Sequence, residues 1–308
     1  MPEPSTLPEF DPTTSSTSAP RQTGCRWPDL GRWFWMLVFA TLVFGPVVKR
    51  EFPRELARWH LAAAHVALDA SQYDEALRLV NRALELAGPR PEYLLLRAEI
   101  YLRCGEQDRC EEDLDRAVEA APPQEKIYVY QQRANLHLEM QRWSAAVRDW
   151  EAIEQLAQRP EYEQPAVPFH VIWNSLAYMR ALANQELDKA LEEINLALAQ
   201  QPDNAAYLDT RGYIYYRLGH YNKALADLER AVELAHKEWR ELEKQLQQLR
   251  DLRVDPRPID RQRVELRRNY AVILYHRALV HDLFDEAKAT QDYEEIRQLG
   301  FSPGPDLF

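Results

Sequence analysis

From about residue 57 onward, apolar positions recur three and four residues apart, and the whole pattern then returns at a fixed step. Ala76-Leu77 is followed one heptad later by Ala83-Leu84, in a segment that also carries Tyr73. Thirty-four residues on, Cys110-Glu111 and Ala117-Val118 hold the same places, with Gly105 ahead of them. Ala146-Val147 with Ile153, Ala190-Leu191 with Ala197, and Ala224-Leu225 with Ala231 continue the series. The pattern predicts five helix pairs, over about 57–89, 91–122, 127–160, 169–202 and 205–235. Gly88-Pro89, Pro122-Pro123, Pro160 and Pro202 close pairs, because proline cannot continue a helix. The step stretches at the Pro122-Pro123 linker and again through Pro160–Pro168, where insertions fall between stacked pairs.

Two regions break the rhythm. Residues 236–268 continue the helix begun near Tyr221 as a charged extension, with Leu242, Leu246 and Leu249 forming a narrow apolar stripe. A loop over Val254–Pro258 and a last pair from about Arg261 to Leu299 follow, so residues 236–299 read as an extended hairpin and a degenerate terminal repeat. Such divergence suits the unit that caps a stack. A short tail covers 300–308. At the other end, residues 1–28 are rich in Pro, Ser and Thr without apolar period, and are expected to form a disordered tail.

Trp33 to Val48 carries no charged residue over sixteen positions, between Arg32 and Lys49-Arg50. As a helix it measures roughly 24 Å against a hydrocarbon core of ~30 Å. Snorkelling Arg and Lys and interfacial Trp33 and Trp35 close that gap, so a single transmembrane helix is expected over 33–48. A cleaved signal peptide and a buried helix packed on the first repeat are the alternatives. The expected location is a single-pass position in a bacterial inner membrane. Three arginines before the segment and four Lys and Arg after it leave the side of the solenoid undetermined.

A net charge of −11 gives the molecule no general attraction for nucleic acid. The exception is the segment 250–268, where seven arginines face four carboxylates and offer an alternative lipid- or nucleic-acid-contacting role. Three cysteines, Cys25, Cys104 and Cys110, make no disulfide framework. No cofactor loop, metal-ligand set or nucleophile context is present, so no enzyme, cofactor or small-molecule substrate is expected. His60 and His65, like His276 and His281, are five apart and point about 140° away from each other around a helix, the wrong geometry for one metal.

The fifth copy places Leu208, Gly212, Tyr215, Gly219, Tyr221, Ala224, Leu228 and Ala231 in register with Leu94, Ala98, Tyr101, Gly105, Leu114 and Ala117 of the second. At a period near ~34 residues this resembles the tetratricopeptide repeat family, over roughly residues 57–235 and more loosely to 299. The resemblance implies an all-α solenoid of about six helix pairs. Small residues such as Ala98, Ala134 and Gly212 would let paired helices approach, and Tyr73, Trp143 and Tyr221 would fill the spaces between pairs. The fourth copy needs one extra residue between Ala177 and Ala190, and the sixth needs a deletion. The resemblance also implies a concave face lined by the first helix of each pair, serving as a groove for a protein or peptide partner. That groove would present Leu61 and His65; Leu95, Glu99 and Arg103; Tyr128, Gln131 and Asn135; Asn174 and Tyr178; and Asp209, Tyr213, Tyr216 and Arg217.

Overall fold

The computed structural model describes residues 30–159, 167–252 and 257–304. Residues 1–28 and 160–166 lie outside the described residues. Two compact units emerge, Met1–Pro53 and Arg54–Phe308. The helices in order are α1 (Leu30–Asp69), α2 (Tyr73–Ala87), α3 (Pro91–Arg103), α4 (Gln107–Ala120), α5 (Lys126–Glu139) and α6 (Trp143–Ala157). They continue as α7 (Phe169–Ala183), α8 (Leu187–Gln200), α9 (Ala205–Arg217), α10 (Tyr221–Asp251), α11 (Arg257–His281) and α12 (Glu286–Gln298).

Two boundaries differ from the sequence expectation. The 33–48 segment is not a separate helix but part of α1. Most of its side chains lie outside the described residues, although Phe34 and Phe39 are exposed. Among the described residues, no helix is long and apolar enough to cross a membrane. The last pair starts at Arg257 rather than Arg261, because Pro258 sits in the first helical turn, where a missing N–H costs nothing.

Within Arg54–Phe308 the pairs are closed by one recurring turn. Ser71, Gly105, Gln141, Asn184 and Gly219 each take a left-handed conformation just past the first helix. In each turn the N–H of that residue and of the next bonds back into the last helical turn, as in Gly219 N to Tyr216 O and His220 N to Tyr215 O, at 3.0 and 2.8 Å. The fourth turn holds the extra residue of its copy. Glu186 adds a second left-handed position after Asn184 and Gln185.

The core runs along the pairs. Ala98 and Ala134 are buried at helix–helix approaches. Gly212 lies so close to α10 that a Cβ there would sit 2.6 Å from Leu228 Cγ. Tyr73, Trp143 and Tyr221 pack partly buried against separate apolar clusters.

An ion-pair ladder crosses the same units. The seventh residue of α4, α6, α8, α10 and α12 is acidic and faces an arginine of the preceding helix: Asp113 with Arg97, Asp149 with Arg133, Glu193 with Arg180, Asp227 with Arg211, and Asp292 with Arg277. Arg97 is bidentate, with Nε to Asp113 Oδ2 at 2.6 Å and Nη2 to Oδ1 at 2.7 Å. Its Nη1 reaches back to Asn81 of the previous pair at 2.8 Å. Arg211 repeats this with Asp227 and Asn195. Each such guanidinium therefore ties two consecutive pairs, as its planar fork allows.

First helices touch in two runs, α3 with α5, and α7 with α9 and α9 with α11, while among the described residues α5 and α7 do not touch. Among the described residues no second helix touches the next second helix. The first helices therefore line the more closely packed side of the stack, its inner face.

Candidate functional site

The first-helix residues expected in the groove divide into three groups. Leu61 is half-buried and His65 exposed on α1. Leu95 is a correction: it is 7% exposed and packs in a core cluster with Leu94 and Ala98, so it offers no groove surface. Its helix is covered on more than one side, and helical periodicity alone does not reveal the second cover.

Glu99 and Arg103 of α3 form a charged centre with Glu139. Arg103 Nη1 lies 2.9 Å from Glu139 Oε2, and its Nη2 lies 3.8 Å from Glu99 Oε1. Burial pushes the Glu99 carboxyl above its ordinary range; Arg103 pulls it down, while Glu139 and Asp69 reinforce the rise. On α5, Tyr128 and Asn135 are exposed and Gln131 is half-buried.

The C-terminal third is covered by α11, the first helix of the terminal pair, in a contact that the repeat pattern does not reveal. His276 of α11 is fully buried, and its Nδ1 donates to Asp209 Oδ1 at 2.9 Å. The His276 ring stacks on Tyr213, with centroids 4.3 Å apart and planes at 22°. Tyr213 also stacks on Tyr216 and accepts from Arg217 Nη1 at 3.0 Å. Asp209 and Tyr213 are thus buried beneath α11, while Tyr216 and Arg217 remain partly exposed. No local signal marks His276 as their partner, because 67 residues separate it from Asp209.

Beside this contact the inner face opens into a cavity of about 450 Å³. Asn174 and Tyr178 of α7, Asp209 and Thr210 of α9, and Arg268 and Ile273 of α11 are among its lining residues, with Leu138 of α5 at one end. Three expected groove residues from two separate repeats therefore meet in one space. Asn174 Oδ1 is buried and has no hydrogen-bond partner. The Tyr178 phenol is pushed well above its usual range by burial, with Asp209 adding to the rise.

A larger cavity of about 550 Å³ lies at the α4–α6 end, among Glu111, Arg133, His137, Arg142 and Asp149. Most of its charges satisfy one another. His137 sits between Asp149 at 2.8 Å and Glu111 at 3.2 Å, Arg133 pairs with Asp149, and Arg142 pairs with Glu111. It is an extension of the ion-pair ladder. Among the described residues no group of acidic, His and Cys side chains could hold a metal. Cys104 and Cys110 are both free, Cys104 exposed and Cys110 buried, and burial pushes the Cys110 thiol up to about 12.

The arginine-rich segment is partly engaged. Arg263 Nε donates to Glu243 at 2.7 Å and its guanidinium lies over Trp239. Arg267 lies over Phe301, and Arg268 lines the inner cavity. The side chains of Arg253, Arg257 and Arg261 lie outside the described residues.

Comparison with known proteins accords with this geometry. The tetratricopeptide repeat profile matches residues 91–124, which hold α3 and α4, and residues 205–237, which begin with α9. A solved tetratricopeptide repeat protein from Parabacteroides merdae superposes with a TM-score of 0.56 at 15% identity, covering 88% of this chain and 92% of that one. That likeness is one of fold. Over 58 residues the chain is 41% identical to the Protein SGT1 homolog of Bos taurus and 40% identical to that of Homo sapiens. The match spans 19% of this chain and only 17% and 16% of those proteins. The profile thus marks two repeats of the all-α solenoid, one over α3 and α4 and one beginning with α9.

Proposed function

We propose that this chain is a membrane-tethered scaffold that captures a protein or peptide partner on the inner face of its solenoid. The observation that carries the reading is the convergence of Asn174, Tyr178 and Asp209 on one cavity, walled by successive first helices. A cavity with apolar walls and a few placed polar groups is the usual form of a recognition site. Exposed Tyr128 and Asn135 of α5 extend the same line of first-helix positions towards the N-terminal pairs. The absence of a nucleophile, cofactor loop or metal set in the sequence supports binding without chemistry.

The tether rests on the uncharged segment 33–48 and its basic flanks, with Phe34 and Phe39 exposed on α1. A single-pass position in a bacterial inner membrane accounts for these features. Two experiments test the reading. Alkaline extraction should leave the full chain in the membrane and release a variant lacking 33–48; extraction of both would remove the tether. Partner capture from membranes should fall several-fold in a Tyr128→Ala, Asn135→Ala variant that remains folded; undiminished capture would remove the groove assignment.

A further inference from the structure

We propose that the cavity between α7, α9 and α11 takes a cationic side chain, a lysine or arginine of the partner, as the anchor of the captured segment. This rests on the inner-face reading above and adds the chemistry that would select the partner.

The walls are apolar: Leu138, Tyr178, Ala206, Val272 and Ile273 line the space. The polar atoms among them need donors. Asn174 Oδ1 is buried without a partner. The Thr210 hydroxyl spends its proton on Ala206 O at 3.0 Å, so its oxygen can only accept. Asp209 and Glu265 bring two carboxylates, against the single guanidinium of Arg268, which is already engaged within the chain. His276 fills part of the hydrogen-bonding capacity of Asp209. A carboxylate offers about four lone-pair sites, so acceptor capacity remains.

A ligand that fits must therefore have an aliphatic body and a donor-only tip. Lysine and arginine combine these, laying their methylenes on apolar surface while the charged head seeks oxygen. Burying such a head without acceptors would be costly, and the excess carboxylate offsets that cost. An anionic tip would meet Asn174 Oδ1 and two carboxylates, against the one neutral amide of Asn269 and an Arg268 already engaged within the chain. The surrounding field has the same sign, since the chain carries a net charge of −11. At about 450 Å³ the cavity has room for a long side chain and the backbone that carries it.

The test is selection of a displayed random dodecapeptide library on the immobilised full chain. Wild-type protein should enrich peptides with Lys or Arg at one fixed position. A representative peptide should bind about tenfold more tightly than its norleucine counterpart. Asn174→Leu and, independently, the surface change Glu265→Arg should each shrink the affinity ratio between the Lys or Arg peptide and its norleucine counterpart several-fold. Enrichment of Asp or Glu would overturn the inference and make Arg268 the anchor of an anion site. Enrichment of Gln or Asn would reduce the site to a neutral amide pocket. Peptides that bind with no preference at any position would overturn this inference and leave the inner-face reading intact. Recovery of no binding peptide would overturn both.

Discussion

His276 Nδ1 donates to Asp209 Oδ1 at 2.9 Å, joining the terminal helix α11 to the inner face of α9. Both residues are buried, so this bond sets how the last repeat seats on the fifth and fixes one wall of the cavity. Asp209→Ala leaves the imidazole N–H without its acceptor and should cost about 1–3 kcal/mol. Asp209→Asn keeps an acceptor and should cost less. Urea unfolding of the three proteins checks the order. Hydrogen exchange should show the loss concentrated in α9 and α11 rather than in α3 and α4.

The contact of Gly212 with Leu228 makes a second prediction. A methyl placed 2.6 Å from Leu228 Cγ must move that side chain or part the helices. Gly212→Ala should therefore destabilise by about 1–3 kcal/mol, although alanine is the better helix former. Leu228→Ala alone should cost about 2–5 kcal/mol through the cavity it leaves. The double variant should cost clearly less than the sum, because the shortened side chain makes room for the methyl. Additive losses would show that the close approach is not the constraint at this position.

Glu193 gives the stability a pH dependence of definite sign. Burial pushes its carboxyl from 4.5 up to about 7, with Arg180 opposing the rise. Arg180 is shared with Glu151 and Glu186, and its Nε stands 3.2 Å from the nearer Glu193 oxygen. Between these pH values the folded chain holds a proton that the unfolded chain has released. Stability contributed through this group is therefore present at low pH, falls as pH rises from about 4.5 to about 7, and is level above that. Glu193→Gln should remove this component. The difference between variant and wild-type melting temperatures, measured across the window, should change in the variant's favour as pH rises; a constant difference would contradict the assignment.

The repeat architecture was readable because its cause is local. Small residues at Ala98, Ala134 and Gly212, and large ones at Tyr73, Trp143 and Tyr221, occupy positions set by how two helices approach and how pairs stack. Gly105 and Gly219 mark the turns for the same reason. Ser71, Gln141 and Asn184 adopt the same left-handed conformation without glycine, so composition hides three of the five turns. The arginine–carboxylate ladder carries no such local mark, because Asp113, Asp149 and Asp227 look like ordinary charges on a helix surface. Its one sequence trace is the acidic residue at the seventh position of each second helix from α4 onward. What sequence could not show is the cover over Asp209 and Tyr213. That cover comes from α11, and a partner 67 positions away leaves no periodic trace. The same limit explains Leu95, whose burial depends on neighbours from adjoining helices.

The central claim is that the inner face captures the partner. Its most direct measurement is site-specific photocrosslinking in intact membranes, with a benzophenone amino acid replacing Asn174 in the cavity or Glu229 on the exposed side of α10. The Asn174 position should yield a discrete crosslinked product, competed by the partner segment, and the Glu229 position should yield none. Crosslinking from Glu229 with none from Asn174 would place the partner on the outer side of the solenoid and contradict the account.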